Sequence, residues 1–160
     1  MALKTGTQAP DFSLPSTERE VFQLSKDYAG KPLVLYFYPK DFTRVCTEEA
    51  CEFRDAWDEF RDLDINIVGI SRDSVETHHK FKGKHELPFE LLADVQGEVS
   101  KLYQATLPLV GMSRRVTYLL DSKHVIRAVY ENMFNARKHL KTMMNSAVDL
   151  EFQPHHMGKR

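Results

Sequence analysis

Leu33-Val-Leu-Tyr-Phe-Tyr38-Pro39-Lys-Asp-Phe-Thr43-Arg-Val-Cys46-Thr-Glu-Glu-Ala-Cys51-Glu-Phe53 decides how this chain folds. Its first six residues are all apolar or aromatic and end at a proline, the pattern of a strand buried on both faces. From Cys46 the period changes. Ala50, Phe53, Trp57 and Phe60 recur at three- and four-residue spacing, which predicts one amphipathic helix running to Leu63. With Thr43 as N-cap, Cys46 becomes the third helical residue, the position that carries Glu in a capping box. A thiol at a helix N-terminus lies near unpaired backbone N–H groups and the positive end of the dipole, and is the more readily ionised for it.

The two cysteines, Cys46 and Cys51, are the only ones in the 160-residue chain. On a helical wheel with Cys46 at zero, Ala50, Phe53, Trp57 and Phe60 fall within about 40° of it, and Cys51 falls near about 140°, beside Glu48 and Asp55. One sulfur therefore starts the apolar face and the other belongs to the polar face. Their Cα atoms would be roughly 8–9 Å apart in a helix, whereas a disulfide needs about 4.4–6.8 Å. If the two ever pair, the first helical turns must unwind.

Ionisation alone does not make a fast nucleophile. A thiol of pKa ~8.5 is about 3% thiolate at pH 7 and a thiol of pKa ~6 about 90%. A Brønsted slope of ~0.4–0.5 takes back most of that gain. Something must also align the substrate and stabilise the leaving oxygen. The Thr43 hydroxyl, local backbone N–H groups and a nearby arginine are the candidates. The plainer reading of Cys46, a small buried core residue, does not account for the Pro-x-x-x-Thr-x-x-Cys frame or for the second thiol.

Outward from this stretch, Phe12-Ser-Leu and Val21-Phe-Gln-Leu predict an N-terminal hairpin. Ile65-Asn-Ile-Val-Gly-Ile70 predicts a second buried strand, and Val116-Thr-Tyr-Leu-Leu120 and Val125-Ile-Arg-Ala-Val-Tyr130 a hairpin about Asp121-Ser-Lys-His. Helices are expected after the cap pair Asp73-Ser74, around Val95, Val99, Leu102 and Tyr103, and through Ala136, Leu140, Met143, Ala147 and Leu150. The order is a hairpin, then β-α-β-α, an insertion, and β-β-α: an α/β sandwich with a mixed central sheet flanked by helices. Residues 1–152 read as a single domain and 153–160 as a flexible tail.

Twenty-two Lys and Arg against 23 Asp and Glu give a net charge of −1, which offers no reason to expect nucleic acid or an anionic membrane as partner. No signal peptide or membrane-length apolar run is read, so the expected location is cytoplasmic. His78 and His79, adjacent and so on different helix faces, are assigned with Lys80, Lys82 and Lys84 to a solvated face. Tail residues His155 and His156 are open to adventitious metal only. Glu48, Glu49 and Glu52 suit the start of a helix and are assigned to that role, with contact between Glu49 and the thiol site as the alternative. Met112 and Leu107-Pro-Leu-Val110 are read as a pocket rim, a contact surface or a plain loop.

The stretch Pro39-Lys-Asp-Phe-Thr43-Arg-Val-Cys46 with Thr47-Glu-Glu-Ala-Cys51 closely resembles the active-site segment of peroxiredoxins, nearest the bacterioferritin-comigratory or Q type. Ala9-Pro-Asp-Phe-Ser-Leu14, Gly69-Ile-Ser-Arg-Asp-Ser74, Leu87-Pro-Phe-Glu-Leu-Leu-Ala-Asp94 and Arg115-Val-Thr-Tyr-Leu-Leu-Asp121 resemble further segments in the same order. The resemblance implies a thioredoxin-like fold and thiol-dependent reduction of hydrogen peroxide and organic hydroperoxides, with no cofactor and no metal. By it Cys46 matches the peroxidatic cysteine and Cys51 a resolving cysteine in the same helix. Pro39 and Thr43 match the residues that shape the pocket, and Arg115, rather than its neighbour Arg114, the arginine that pairs with the thiolate. It also implies a Cys46–Cys51 disulfide, a thioredoxin- or glutaredoxin-like reductant, and a monomer with a dimer possible. Many relatives carry Pro-Gly where this chain has Arg44-Val45, a substitution expected to stiffen the helix start and to add a positive charge near Cys46. The rival enzyme class is a thiol–disulfide oxidoreductase, which normally carries the Cys-x-x-Cys absent here. The rival of another class is a redox-sensing or chaperone-like binding module using the same disulfide switch.

Overall fold

A computed structural model describes residues 1–107 and 113–151, without the side chain of Glu151. Met112, most of the 107–110 segment, His155 and His156 lie outside the described residues, as does the expected tail. The elements follow in the order β1 (Ser13–Leu14), β2 (Phe22–Gln23), α1 (Leu24–Asp27), β3 (Leu33–Phe37), α2 (Arg44–Asp55), α3 (Trp57–Asp62), β4 (Asn66–Ser71), α4 (Val75–His85), β5 (Glu90–Ala93), α5 (Glu98–Leu102), β6 (Val116–Leu120), β7 (Ile126–Glu131) and α6 (Ala136–Glu151).

β1 and β2 form the small antiparallel hairpin. The other five strands make one mixed sheet in the order β5-β4-β3-β6-β7, with β3 parallel to β4 and antiparallel to β6. β3 is central and every residue of it is buried. Alternation divides its side chains between the two faces. Val34 and Tyr36 join Ala50, Phe53, Phe60, Met143 and Ala147 in the core beneath α2 and α6. Leu33, Leu35 and Phe37 join Phe12, Phe22, Val99 and Tyr103 on the opposite face. Covering both faces is what makes a strand of five apolar residues worth folding, since each such side chain contributes about 1.5–3 kcal/mol on burial.

Two local features depart from the sequence reading. The helix expected from Cys46 to Leu63 is broken at Ala56, whose φ of −96° and ψ of 4° end α2, and α3 starts anew. The residues 90–93, placed above within an insertion, form β5, parallel to β4. Four residues buried on both faces show no alternation to read. No helix among the described residues is long and apolar enough to cross a membrane.

Candidate active site

The sheet register builds the site. Val116, the first residue of β6, pairs with Phe37, the last of β3. The residue before Val116 is therefore carried to where the chain leaves β3 and turns into α2. That residue is Arg115, and Cys46 lies on the first turn of that helix. The Arg115 side chain is only 3% exposed. Its Nη2 donates to Cys46 Sγ at 3.2 Å, its Nη1 to Glu49 Oε1 at 2.7 Å, and its Nε to the Met133 carbonyl at 2.9 Å. Neighbouring strand residues face opposite ways, and Arg114 accordingly pairs with Glu131 instead.

Thr43 is the N-cap residue of α2, which makes Cys46 the third helical residue. Its hydroxyl does not cap the helix but donates to the Lys40 carbonyl at 2.7 Å. A hydroxyl that has given away its proton keeps its lone pairs, so Thr43 Oγ1 faces its surroundings as an acceptor. Thr43 is exposed and Pro39 half-buried, one at each end of the 39–43 loop. Phe42 inside that loop has φ of +67°, a left-handed conformation that costs a bulky residue of order 1–3 kcal/mol.

Both cysteines are free, Cys46 buried and Cys51 half-buried, with α2 continuous through both. Arg44 is turned to solvent. It forms an exposed i,i+4 ion pair with Glu48 at 3.0 Å, an arrangement worth a few tenths of a kcal/mol to the helix start.

Glu49, assigned above to the helix start with contact at the thiol site as the alternative, meets the alternative: it is fully buried and holds Arg115 against the thiol. Burial pushes its carboxyl up to about 7, against the pull of Arg115 in the other direction. Burial works against the arginine's charge too, but Glu49 and Cys46 outweigh it and leave Arg115 raised. Glu49 Oε2 has no hydrogen-bond partner and sits 3.6 Å from His139 Nδ1. That approach is not an ion pair. His139 Nε2–H donates to the Asn132 carbonyl at 2.8 Å, Nδ1 accepts from the Thr117 hydroxyl at 2.8 Å, and burial pushes the ring down to about 4. The site thus holds one fixed cation between two groups able to carry negative charge.

Glu49 and His139 have opposite effects on stability. Glu49 binds its proton more tightly folded than unfolded, so its contribution falls as pH rises from 4.5 through about 7, by a total of about 3 kcal/mol. His139 binds its proton less tightly folded, so its contribution rises as pH climbs from about 4 to 6.5. The slopes cancel over the shared range. Glu49→Gln should unmask His139: denaturation midpoints should climb with pH up to about 6.5 and then level off, where the wild type is flat and then declines. Parallel profiles in the two proteins would contradict this account.

Sequence reasoning missed a second buried cluster behind the 39–43 loop. His78, placed on a solvated face, is fully buried, whereas His79 is exposed. Its Nδ1 lies 2.6 Å from Asp41 Oδ2, and its Nε2–H donates to the Leu92 carbonyl at 2.9 Å. Both it and the buried Phe81 lie on the inner face of α4. That three-residue spacing was the available signal.

Residues 5–129 match the AhpC/TSA family. Peroxiredoxin Q, chloroplastic, of Sedum lineare is 43% identical over 136 residues, covering 84% of this chain and 73% of that protein. A putative peroxiredoxin bcp of Coxiella burnetii is 41% identical over 136 residues, covering 81% and 89%. Other plant relatives are longer, and the match spans 62% of the Oryza sativa subsp. japonica peroxiredoxin Q. Among solved structures, peroxidoxin BcpB from Mycobacterium tuberculosis superposes with a TM-score of 0.85 at 32% identity, over 92% of this chain and 97% of that one. A Xanthomonas campestris bacterioferritin comigratory protein, solved for insight into its alkyl peroxide reduction activity, gives 0.81 at 25% identity over 94% and 99%.

Proposed function

The chain belongs to the AhpC/TSA family, and from that premise we propose that it reduces hydrogen peroxide and organic hydroperoxides through Cys46 and resolves the product through Cys51. The observation that carries this is the Arg115 fork, with Nη2 at 3.2 Å from Cys46 Sγ and Nη1 at 2.7 Å from Glu49. A guanidinium held in two places by fixed partners is preorganised to stabilise charge as it moves from sulfur to oxygen. Thr43 Oγ1, left as an acceptor by its bond to Lys40, takes the O–H of the incoming peroxide and orients it.

In the first step the Cys46 sulfur attacks one peroxide oxygen and the O–O bond breaks. Cys46 becomes a sulfenic acid, and the other oxygen leaves with a proton as water or an alcohol. In the second step the Cys51 thiolate attacks the sulfenic sulfur. The S–O bond breaks, the oxygen leaves as water and a disulfide forms. Cys46 and Cys51 are five residues apart in one unbroken helix, so the first turns of α2 unwind for this step. A thioredoxin-like dithiol then reduces the disulfide and the helix re-forms. Pro39 shapes the entry to the loop.

The test is peroxide consumption with a thioredoxin system, run with wild type and single-cysteine variants. Cys51→Ser should keep the first oxidation at wild-type speed. It should also stall turnover or shift oxidation to sulfinic acid, read as a 32 Da gain by mass spectrometry. A Cys51→Ser enzyme that turns over like the wild type, with the same reductant and no over-oxidation, would remove Cys51 from the mechanism.

A further inference from the structure

The 39–43 loop carries Thr43, yet the chemistry above makes no use of the residues that hold the loop in place. Asp41 is their hub. Tyr38 Oη donates to its Oδ1 at 2.6 Å, and His78 Nδ1 sits 2.6 Å from its Oδ2. The Asp41 amide donates to Asp73 Oδ2 at 2.8 Å, and that oxygen also accepts from Ser71 Oγ at 2.5 Å. His78 reaches onward through Nε2–H to the Leu92 carbonyl in β5. The Asp41 and His78 side chains are both fully shielded from solvent. Three separate segments, the end of β3, the β4–α4 turn and α4, therefore converge on one loop residue, and His78 ties α4 on to β5.

Asp41, Asp73 and His78 also bring a nitrogen and two carboxylate oxygens within 4.8 Å of one another. The direct contact between Nδ1 and Oδ2, at 2.6 Å, is hydrogen-bond distance, whereas two donors each about 2.0–2.2 Å from a tetrahedral ion lie about 3.4 Å apart. The cluster is a hydrogen-bond network, and its position gives it a purpose. Asp41 is followed by Phe42, in its left-handed conformation with φ of +67°. The Phe42 ring packs edge-on against Phe81, centroids 5.2 Å apart. Phe81 lies three residues beyond His78, so α4 grips the loop at two consecutive residues.

We propose that Asp41 and His78 are positioning residues for Thr43, fastening the loop so that the acceptor oxygen of Thr43 and the start of α2 return to one geometry each time the helix start melts and re-forms. This rests on the reading of Cys46 as the attacking thiol. Loss of the link frees the loop to relax the Phe42 backbone, and Thr43 Oγ1 shifts relative to the start of α2. A displacement of an ångström there slows the first oxidation, although neither residue touches the reacting atoms.

The two ring nitrogens of His78 allow a test that separates positioning from bulk stability. An asparagine amide falls near where Nδ1 was and keeps a partner for Asp41. A glutamine amide falls near where Nε2 was and keeps only the bond to Leu92. The measurement is the second-order rate constant for Cys46 oxidation by hydrogen peroxide under rapid mixing, with thermal unfolding of each variant alongside. His78→Gln and Asp41→Ala should be about tenfold slower or more, and His78→Asn within about threefold of wild type. Wild-type rates in both His78→Gln and Asp41→Ala would overturn the proposal. So would equal losses in the two His78 variants that simply track their melting temperatures. Failure of the underlying reading shows separately, as peroxide consumption that survives Cys46→Ser, and it overturns the proposal as well, because Thr43 would then have no thiol to serve.

Discussion

Cys46→Ser should abolish peroxide turnover, with a loss of at least about 10³-fold. The loss is this large because no other group can stand in. Cys51 is half-buried on the other side of α2, and the Arg115 Nη2–H points at Cys46. A serine hydroxyl is far less ionised than a thiol and forms no sulfenic acid. The fold should survive the change. The new Oγ can accept the same hydrogen bond from Arg115, and the surrounding Ala50 and Phe53 keep their packing. Two measurements check this together. Stoichiometric peroxide should consume two thiols in the wild type and none in the variant, while the melting temperatures stay within a few degrees. Multiple turnover by a folded Cys46→Ser protein would refute the assignment outright.

Arg115→Ala should cost about 10²–10³-fold in kcat/KM for hydrogen peroxide, equivalent to about 3–4 kcal/mol of transition-state stabilisation. The guanidinium is the buried cation in contact with Cys46, and removing it leaves the developing charge on the leaving oxygen unanswered. The second consequence falls on Glu49. Arg115 is what holds the Glu49 carboxyl down against its burial, so without it Glu49 keeps its proton to still higher pH. That escape limits the destabilisation to less than the about 3–5 kcal/mol usual for breaking a buried ion pair. Arg115→Lys retains the charge but cannot reach sulfur and carboxylate through one rigid fork, and should fall between. Arg114→Ala is the control. Arg114 pairs with Glu131, away from the thiol, and its loss should leave the rate within about twofold. An Arg115→Ala enzyme less than tenfold impaired would show that the cation is dispensable.

What could be read beforehand follows a physical dividing line. Buried strands and amphipathic helices announce themselves through local spacing, and β3, β4, β6, β7 and α6 were legible for that reason. The opposed settings of Cys46 and Cys51 came from the same arithmetic. β5 was not legible, because its four residues are all buried and show no alternation. The break at Ala56 was equally silent, because Trp57 and Phe60 continue the apolar spacing of α2. Buried polar partners were hardest. Glu49 and Arg115 meet across 66 positions of chain, and Asp41 and His78 across 37. A glutamate on a helix looks solvated until a guanidinium is known to face it. His78 and His139 did carry a signal, since each falls in step with apolar neighbours on its helix, Phe81 for one and Ala136 and Met143 for the other. The charged residues around His78 hid it.

The interruption at Ala56 bears on what oxidation does to the rest of the molecule. Helical order propagates residue by residue through its hydrogen-bond ladder, and here the two segments are joined only through Ala56, whose N–H donates to the Glu52 carbonyl and whose carbonyl accepts from Glu59 and Phe60 among the described bonds. On the proposed mechanism the melt is needed only at the first turns of α2, upstream of that joint, and Phe60 belongs to the segment beyond it. The joint would then work as a firebreak: a bridge made at the expense of those turns alone would leave the greasy contacts of α3 covered and make a poor trap for unfolded clients.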